Sequence, residues 1–144
     1  RVITRGVVYA RRTNGFYIQS LPADADSDDA TSEGILVFTS TAPPATAAIG
    51  AVVDVEGVVA EFKPASDLGS PTLTELTVPA VTVLRSGEPL PEPQWLVGKD
   101  WERFEGMRVQ ANVDVSAPTG GTFSETRGDS TSNGIFWGTL TGPP

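Results

Sequence analysis

The sequence predicts an all-β protein whose first part is a small, five-stranded barrel. Valine, threonine and aromatic residues, which favour strands, occur in short runs along the chain. Glycine and proline number 15 and 12 among 144 residues, which is enough to separate these runs by turns. Five such runs within residues 1–84 fit a Greek-key barrel, although their spacing also fits other small barrels.

Turn residues set the bounds of the five predicted strands. The dipeptide Asn14-Gly15 is typical of a tight hairpin and joins the first two strands. Gly57 interrupts the fourth strand as a bulge or a tight bend would. Pro79 is expected to break the fifth, because proline cannot donate to a sheet ladder. The predicted strands are Val2–Arg12, Gly15–Leu21, Ile35–Thr39, Ala51–Lys63 and Thr72–Leu84.

Side-chain alternation assigns the faces of the second and third strands. Phe16 and Ile18 are predicted to lie in the core, with Tyr17 and Gln19 on the outer face. The third strand is apolar on both faces from Ile35 onward. Since buried apolar area contributes about 25 cal/mol per Å², we expect the C-terminal part of the chain to cover its outer face.

Residues 85–144 are predicted to form a proline-rich linker and a β extension packed on the barrel. The linker, Ser86–Val97, is expected to lie extended on the barrel surface. Lys99–Glu105 predicts one helical turn, with Trp101 and Phe104 on one face, and Met107–Val115 predicts a strand. The expected apolar anchors of the linker are Leu90, Trp95 and Leu96.

An alternative interpretation of residues 85–144 comes from an internal repeat. The pentapeptide Asn133-Gly134-Ile135-Phe136-Trp137 repeats the pattern that starts at Asn14-Gly15. On this interpretation, residues 85–144 contain the first strands of an incomplete second barrel-like unit.

The composition excludes several kinds of chemistry. The chain contains no cysteine and no histidine, which rules out thiolate catalysis, a Ser-His-Asp triad and a histidine metal site within this sequence. Carboxylates are plentiful, but no third group completes a mechanism, so we expect no catalysis. No apolar run is long enough for a membrane-spanning helix, and we expect no membrane partner. The sequence starts at Arg1 without a signal-peptide pattern, and we expect it to be a segment of a longer protein.

Two polar segments are candidate binding sites. Arg11 and Arg12 end the first strand, and the hairpin brings them towards Tyr17 as a small basic patch; a solvated strand edge is the alternative. The loop after the second strand has aspartates at alternating positions, as calcium loops do. It lacks the glycine and the terminal glutamate of an EF-hand, so a looser calcium site and a solvated loop both remain open. The possible calcium ligands are Asp24, Asp26, Asp28 and Asp29.

Several segments resemble the OB-fold domain of bacterial extracellular nucleases. They are the strand end Gly6-Val7-Val8, the run Asn14–Gln19, Thr31–Phe38, Gly50–Phe62 and Trp101–Val109, which together span most of residues 1–109. The resemblance selects an OB-type barrel among the possible small barrels. It implies a secreted, extracellular protein whose catalytic domain, of the endonuclease/exonuclease/phosphatase type, lies elsewhere in the parent chain.

Two functions remain open, the first of them implied by this resemblance. The first is a non-catalytic accessory module that binds single-stranded nucleic acid weakly and without sequence preference, since OB folds combine a basic groove with stacking aromatics. A net charge of −8 opposes such binding, because phosphate neutralisation supplies most of the affinity of nucleic-acid binders. The second is a structural module that contacts a catalytic domain and has no ligand. The candidate nucleic-acid ligands are Tyr9, Arg11, Arg12, Tyr17, Gln19, Phe62 and Lys63.

Overall fold

The computed structural model describes residues 1–65, 69, 71–117, 121–124, 129–132 and 137–141. The chain divides into two compact units, Arg1–Val109 and Gln110–Pro144. The predicted domain boundary after residue 84, and the packing of residues 85–144 as a whole on the barrel, stay predictions.

The first unit contains a closed five-stranded barrel of OB-fold type, which confirms the predicted fold class. Neighbouring strands pair in the order β1-β2-β3-β5-β4, and β4 returns to β1. All pairs are antiparallel except β3 with β5, which is parallel. The strands are β1 Val2–Arg12, β2 Gly15–Gln19, β3 Gly34–Phe38, β4 Val52–Phe62 and β5 Leu73–Arg85.

The barrel interior is filled by alternate residues of these strands, together with Ala47 and Ala51 from the segment before β4. Phe16 and Ile18, the two predicted core residues of β2, are 0% and 2% exposed. Burying a large apolar side chain contributes about 1.5–3 kcal/mol, so this cluster is the main source of barrel stability. Its members are Val8, Phe16, Ile18, Val37, Ala47, Ala51, Val53, Val55 and Leu76.

Three register shifts adjust the barrel strands, one of them at the start of β4, between Val52 and Val53. In β1, Tyr9 is the extra residue, because Val8 pairs with Ile18 and Ala10 already pairs with Tyr17. Between β4 and β5 the register shifts at Gly57, as its glycine predicted. The prediction that Pro79 breaks the fifth strand is wrong: β5 continues to Arg85, because this register shift takes Pro79 out of the hydrogen-bonded ladder.

The chain after the barrel returns across its outer surface. We call residues 91–108 the strap. It includes β6 (Gln94–Trp95) and a 3₁₀ turn at Glu102–Phe104, which confirms the predicted helical turn in a short form. Trp95 is 36% exposed, so its prediction as an anchor is wrong. The buried residues of the strap are Pro91, Phe104 and Met107.

The other predicted features of this region are met in part. Leu90 and Leu96 are half-buried. Trp101 is 50% exposed, although Phe104, three residues later, is buried. The predicted strand Met107–Val115 is interrupted: β7 covers only Val109–Gln110, and β8 starts at Val113.

The second unit contains two antiparallel strand pairs in its described part. β8 (Val113–Ala117) pairs with β11 (Trp137–Leu140), and β9 (Gly121–Ser124) pairs with β10 (Asp129–Ser132). Residues 133–136 of the internal repeat lie outside the described residues, so the second-barrel interpretation stays a prediction. Within the described part of the chain, no helix has the length and hydrophobicity of a membrane span.

Candidate functional site

A row of outward-facing residues crosses all five strands of the barrel. Ala10 pairs with Tyr17, Tyr17 with Leu36, Leu36 with Glu75, and Glu75 with Ala60. Each of Tyr17, Leu36 and Glu75 lies next to a core residue in its own strand, so alternation turns its side chain away from the interior. We call this surface, together with its continuation to Gln19 and Gly34, the outer face.

Tyr17 and Arg12 form the aromatic and basic part of the outer face. The Tyr17 ring is half-buried, and its centroid lies 5.9 Å from that of Tyr9 at an interplanar angle of 35°. The Nη1 atom of Arg12 lies 3.4 Å from the Tyr17 hydroxyl. The structure therefore places an exposed guanidinium at the edge of a supported aromatic ring.

Arg11 faces away from this pair. Its Nη1 donates to the carbonyl oxygens of Pro44 at 3.1 Å and Ala47 at 2.7 Å, and its Nη2 donates to that of Pro43 at 3.0 Å. The β1 bulge at Tyr9 explains the difference, since it brings Arg12 to the side of Tyr17 and pairs Arg11 with Phe16. Arg11 thus holds the loop before β4, and the structure does not bring it to Tyr17.

The strap covers the part of the outer face around Gln19. Gln19 is only 5% exposed, and its Oε1 accepts the backbone N–H of Arg108 at 2.9 Å. The Tyr9 hydroxyl donates to the carbonyl of Gly106 at 2.6 Å, and burial raises the pKa of Tyr9 well above its usual range. The prediction that Gln19 lies on the outer face is confirmed. The strap covers it there, so its side chain is not exposed to solvent.

Backbone-to-backbone contact makes this cover tight. A Cβ atom added to Gly34 would lie 2.1 Å from the carbonyl oxygen of Gly106. The Ser32 hydroxyl donates to the carbonyl of Glu105 at 2.5 Å, and Arg108 Nη1 donates to the carbonyl of Pro91. The strap thus reaches the third strand at its first residue, Gly34, and the expected cover of its outer face from Ile35 onward stays a prediction.

Glu75 is a member of the outer face that the sequence interpretation missed. Its side chain is 7% exposed, and burial raises its pKa, while the positive charge of Arg12 acts in the opposite direction. The sequence feature that could have indicated its position is a single acidic residue between Thr74 and Leu76 in a predicted strand. Alternation from the buried Leu76 would have placed it outward beside Leu36.

Phe62 and Lys63 lie at the end of β4, two and three residues beyond Ala60 of the row. Phe62 is 50% exposed and pairs with Leu73, beyond the part of β4 that pairs with β1. Lys63 is exposed and directly follows β4. Among the described residues, neither side chain has a hydrogen bond, ion pair or ring contact with Arg12 or Tyr17.

The acidic loop uses its carboxylates to stabilise turns. Asp26 Oδ1 accepts the N–H of Asp28 at 2.7 Å, and Asp28 Oδ1 accepts that of Ala30 at 3.0 Å. The Thr31 hydroxyl contacts both carboxylate oxygens of Asp26. In the part of the chain that the structure describes, no three acidic residues are grouped as metal ligands. Calcium binding by Asp24, Asp26, Asp28 and Asp29 stays a prediction.

Comparison of the chain with protein-family models, with curated proteins and with solved structures finds no match. The functional argument therefore depends on the outer face itself, where Tyr17 and Arg12 combine a stacking surface with a positive charge.

Proposed function

We propose that the barrel is a non-catalytic module that binds single-stranded DNA weakly on the outer face. The observation that carries this proposal is the Arg12–Tyr17 pair, with Nη1 3.4 Å from the hydroxyl and the ring supported by Tyr9. A base stacks on the exposed side of the Tyr17 ring, and the Arg12 guanidinium meets the adjoining phosphate.

The expected affinity is low. Stacking of one base on an aromatic side chain contributes about 1–3 kcal/mol. The net charge of −8 repels phosphate, and Arg12 is the one cation that the structure shows beside Tyr17 in its described part. Binding should therefore weaken steeply as salt is added.

We assign different roles to the seven candidate residues. Arg12 and Tyr17 are the proposed contacts with DNA, and Phe62 with Lys63 can form only a second, separate contact. Tyr9, Arg11 and Gln19 have hydrogen bonds within the chain, so we assign them to positioning the loop and the strap.

We further propose that the barrel is an accessory domain of a secreted bacterial nuclease whose catalytic domain supplies the chemistry. Two observations support an accessory role: the barrel is of OB type, and the sequence lacks histidine and cysteine. The extracellular location and the catalytic partner belong to the same proposal.

Fluorescence anisotropy of a labelled single-stranded oligonucleotide tests DNA binding. Tyr17→Ala and Arg12→Ala should each weaken binding at low salt. Arg85→Ala is the matched control, because it removes the same positive charge as Arg12→Ala at a different place. Arg85 is exposed, lies at the end of β5 and is paired with Glu88. Equal losses in Arg12→Ala and Arg85→Ala would show that only the overall charge matters.

The second candidate is a structural module that contacts a protein partner. It is favoured by the apolar side chains that the first unit leaves exposed: Ile3 at 71%, Val78 at 70% and Phe62 at 50%. If the wild-type protein gives no anisotropy change even at low salt, DNA binding fails and this second function replaces it.

A further inference from the structure

A groove made of two connected cavities lies between the acidic loop and the strap. The larger cavity, of about 420 Å³, adjoins the end of β2, and the smaller one, of about 150 Å³, adjoins the aspartates of the loop. The two cavities are connected because they share four lining residues. These are Ala25, Glu33, Gln94 and Met107. We call the two cavities together the strap groove, and all of it lies in the first unit.

The amide of Gln19 offers an unused hydrogen-bond donor to the larger cavity. Gln19 lines this cavity although the residue is only 5% exposed. Its Oε1 accepts the N–H of Arg108 at 2.9 Å, which fixes the amide, while the described part of the chain provides no hydrogen bond to its Nε2. Its backbone pairs with Val7 and Gly34 of the neighbouring strands, so Nε2 is the polar atom left for the cavity. A nearly buried amide nitrogen without a partner calls for an acceptor, such as a carbonyl oxygen of a ligand.

The smaller cavity is negatively charged. One basic residue, Arg103, lines it beside four acidic ones, and the Arg103 guanidinium lies over the ring of Phe104, 4.7 Å from its centroid. Within the described ranges, the salt bridges are formed by other carboxylates. A positively charged group of a ligand is therefore attracted to this cavity. The four acidic residues are Asp26, Asp28, Asp29 and Glu33.

Apolar side chains complete the lining of the larger cavity. Pro91, Pro93 and Met107 of the strap line it together with Pro22 and Ala25 of the loop. A ligand that fits the whole strap groove thus needs a hydrogen-bond acceptor, an apolar part and a positive charge. An extended peptide supplies all three, as a backbone carbonyl, an aliphatic side chain and an arginine, whose planar guanidinium binds carboxylates through paired hydrogen bonds.

We propose that the strap groove binds an extended peptide segment of another protein, in which an aliphatic residue lies next to an arginine. Gln19 Nε2 donates to a backbone carbonyl of the peptide, the aliphatic side chain packs on Met107 and the prolines, and the arginine enters the acidic cavity. This site is additional to the proposed DNA contacts, because neither Arg12 nor Tyr17 lines the groove. Its negative charge also repels phosphate.

The test is an NMR titration of the isotope-labelled protein with a capped tetrapeptide, acetyl-Ala-Leu-Arg-Ala-amide. It is made at low salt with a chelator, so that no divalent cation competes for the carboxylates. The backbone amide signals of Gln19, Glu33 and Gln94 should shift. The same peptide with citrulline, the neutral analogue of arginine, should bind about tenfold more weakly, since hydrogen bonds to a charged group are lost.

Two glutamate variants test the charge of the groove. Glu33→Gln removes a charge that borders both cavities and keeps an oxygen for the N–H of Asp26, so it should weaken peptide binding about twofold to fivefold. Glu61→Gln is the matched control and should keep the wild-type affinity. It makes the same change at an exposed carboxylate that accepts a hydrogen bond from Thr74 and does not line the groove.

A third variant tests the amide donor. Gln19→Glu keeps an oxygen for the N–H of Arg108 and removes the donor, so it should weaken peptide binding. The added negative charge alone would strengthen the binding of a cationic peptide, so the direction of the change separates the two explanations. The NMR spectrum of the variant shows whether the strap keeps its place.

Three results overturn the proposal: equal affinity for the arginine and citrulline peptides, equal losses in Glu33→Gln and Glu61→Gln, or peptide-induced shifts confined to other parts of the chain. Tighter peptide binding by a folded Gln19→Glu variant overturns it as well. Shifts of the loop signals with calcium, without any effect of the peptide, assign the groove to a metal ion and also overturn it. The oligonucleotide assays concern Arg12 and Tyr17, so DNA binding can fail while peptide binding stands.

Discussion

The two halves of the outer face differ in what their polar side chains bind. In the covered half, Tyr9 and Gln19 have hydrogen bonds of 2.6 and 2.9 Å to the strap, and Gly34 touches its backbone. In the open half, formed by Arg12 and Tyr17, the one hydrogen-bond contact that the described residues give the Arg12 side chain is the long one of 3.4 Å to the Tyr17 hydroxyl. The comparison indicates that Tyr9 and Gln19 serve stability where the strap lies, whereas Arg12 is exposed and available to a ligand.

The largest expected effect is the loss of stability in Gly34→Ala. The new Cβ atom would overlap the Gly106 carbonyl, which is backbone and cannot rotate away, so the strap must shift. Overpacking of this kind costs about 1–3 kcal/mol in the free energy of unfolding. Chemical denaturation measures it.

Arg12→Ala is the corresponding change in the open half. Exposed substitutions without special contacts usually alter stability by less than about 0.5 kcal/mol. If Gly34→Ala proves as stable as Arg12→Ala, the strap is not tightly held, and the division of the outer face into two halves is wrong.

A pair of hydroxyl deletions sharpens the comparison. Tyr9→Phe removes the donor to Gly106 and should reduce the free energy of unfolding by about 0.5–1.5 kcal/mol. Tyr17→Phe keeps the stacking ring and loses only the long contact with Arg12, so stability and DNA binding should both change little. Thermal denaturation and anisotropy of both variants check this. A larger loss of stability in Tyr17→Phe would reverse the assignment of roles.

The smallest expected effect is a change in pH dependence. Burial raises the pKa of Glu105, in the strap, and of Glu75, on β5. Each group then holds its proton more tightly in the folded state than in the unfolded state. Its contribution to stability is therefore fully present at pH values below the ordinary glutamate pKa, and is lost as the pH rises through the raised value.

Glu75→Gln should accordingly raise the free energy of unfolding at neutral pH and flatten the profile through the carboxyl range. Asp54→Asn should act in the opposite sense, because the hydrogen bond from Arg5 lowers the pKa of Asp54 and its stabilisation is lost in acid. Denaturation curves measured from acidic to neutral pH distinguish the two. A steeper profile in Glu75→Gln would contradict the assigned direction.

Local patterns predicted the barrel but not the division of the outer face. The strands, the core positions of Phe16 and Ile18 and the irregularity at Gly57 follow from alternation and turn residues, which act over a few positions. The bulge at Tyr9 leaves no such pattern, and it decides that Arg12 instead of Arg11 meets Tyr17.

Contacts between distant segments were equally hidden from the sequence. The approach of Gly106 to Gly34 and the bond from Arg108 to Gln19 depend on how the strap crosses the folded barrel. No local preference of either residue encodes that crossing. The same limit applies to Glu75, whose alternation was readable but whose burial depends on its neighbours in space.

The parallel pairing of β3 with β5 is the shortest strand pairing in the barrel. Only two residue pairs, Leu36 with Glu75 and Val37 with Leu76, join these strands. One residue before Glu75, the backbone N–H of Thr74 donates a hydrogen bond of 3.2 Å to the Glu105 carboxylate of the strap. Unpaired strand edges invite pairing with other chains. The strap therefore also protects the edge of β5 next to the shortest strand pairing of the barrel. Hydrogen exchange of the backbone amides in β3 and β5 would report any opening of the barrel there.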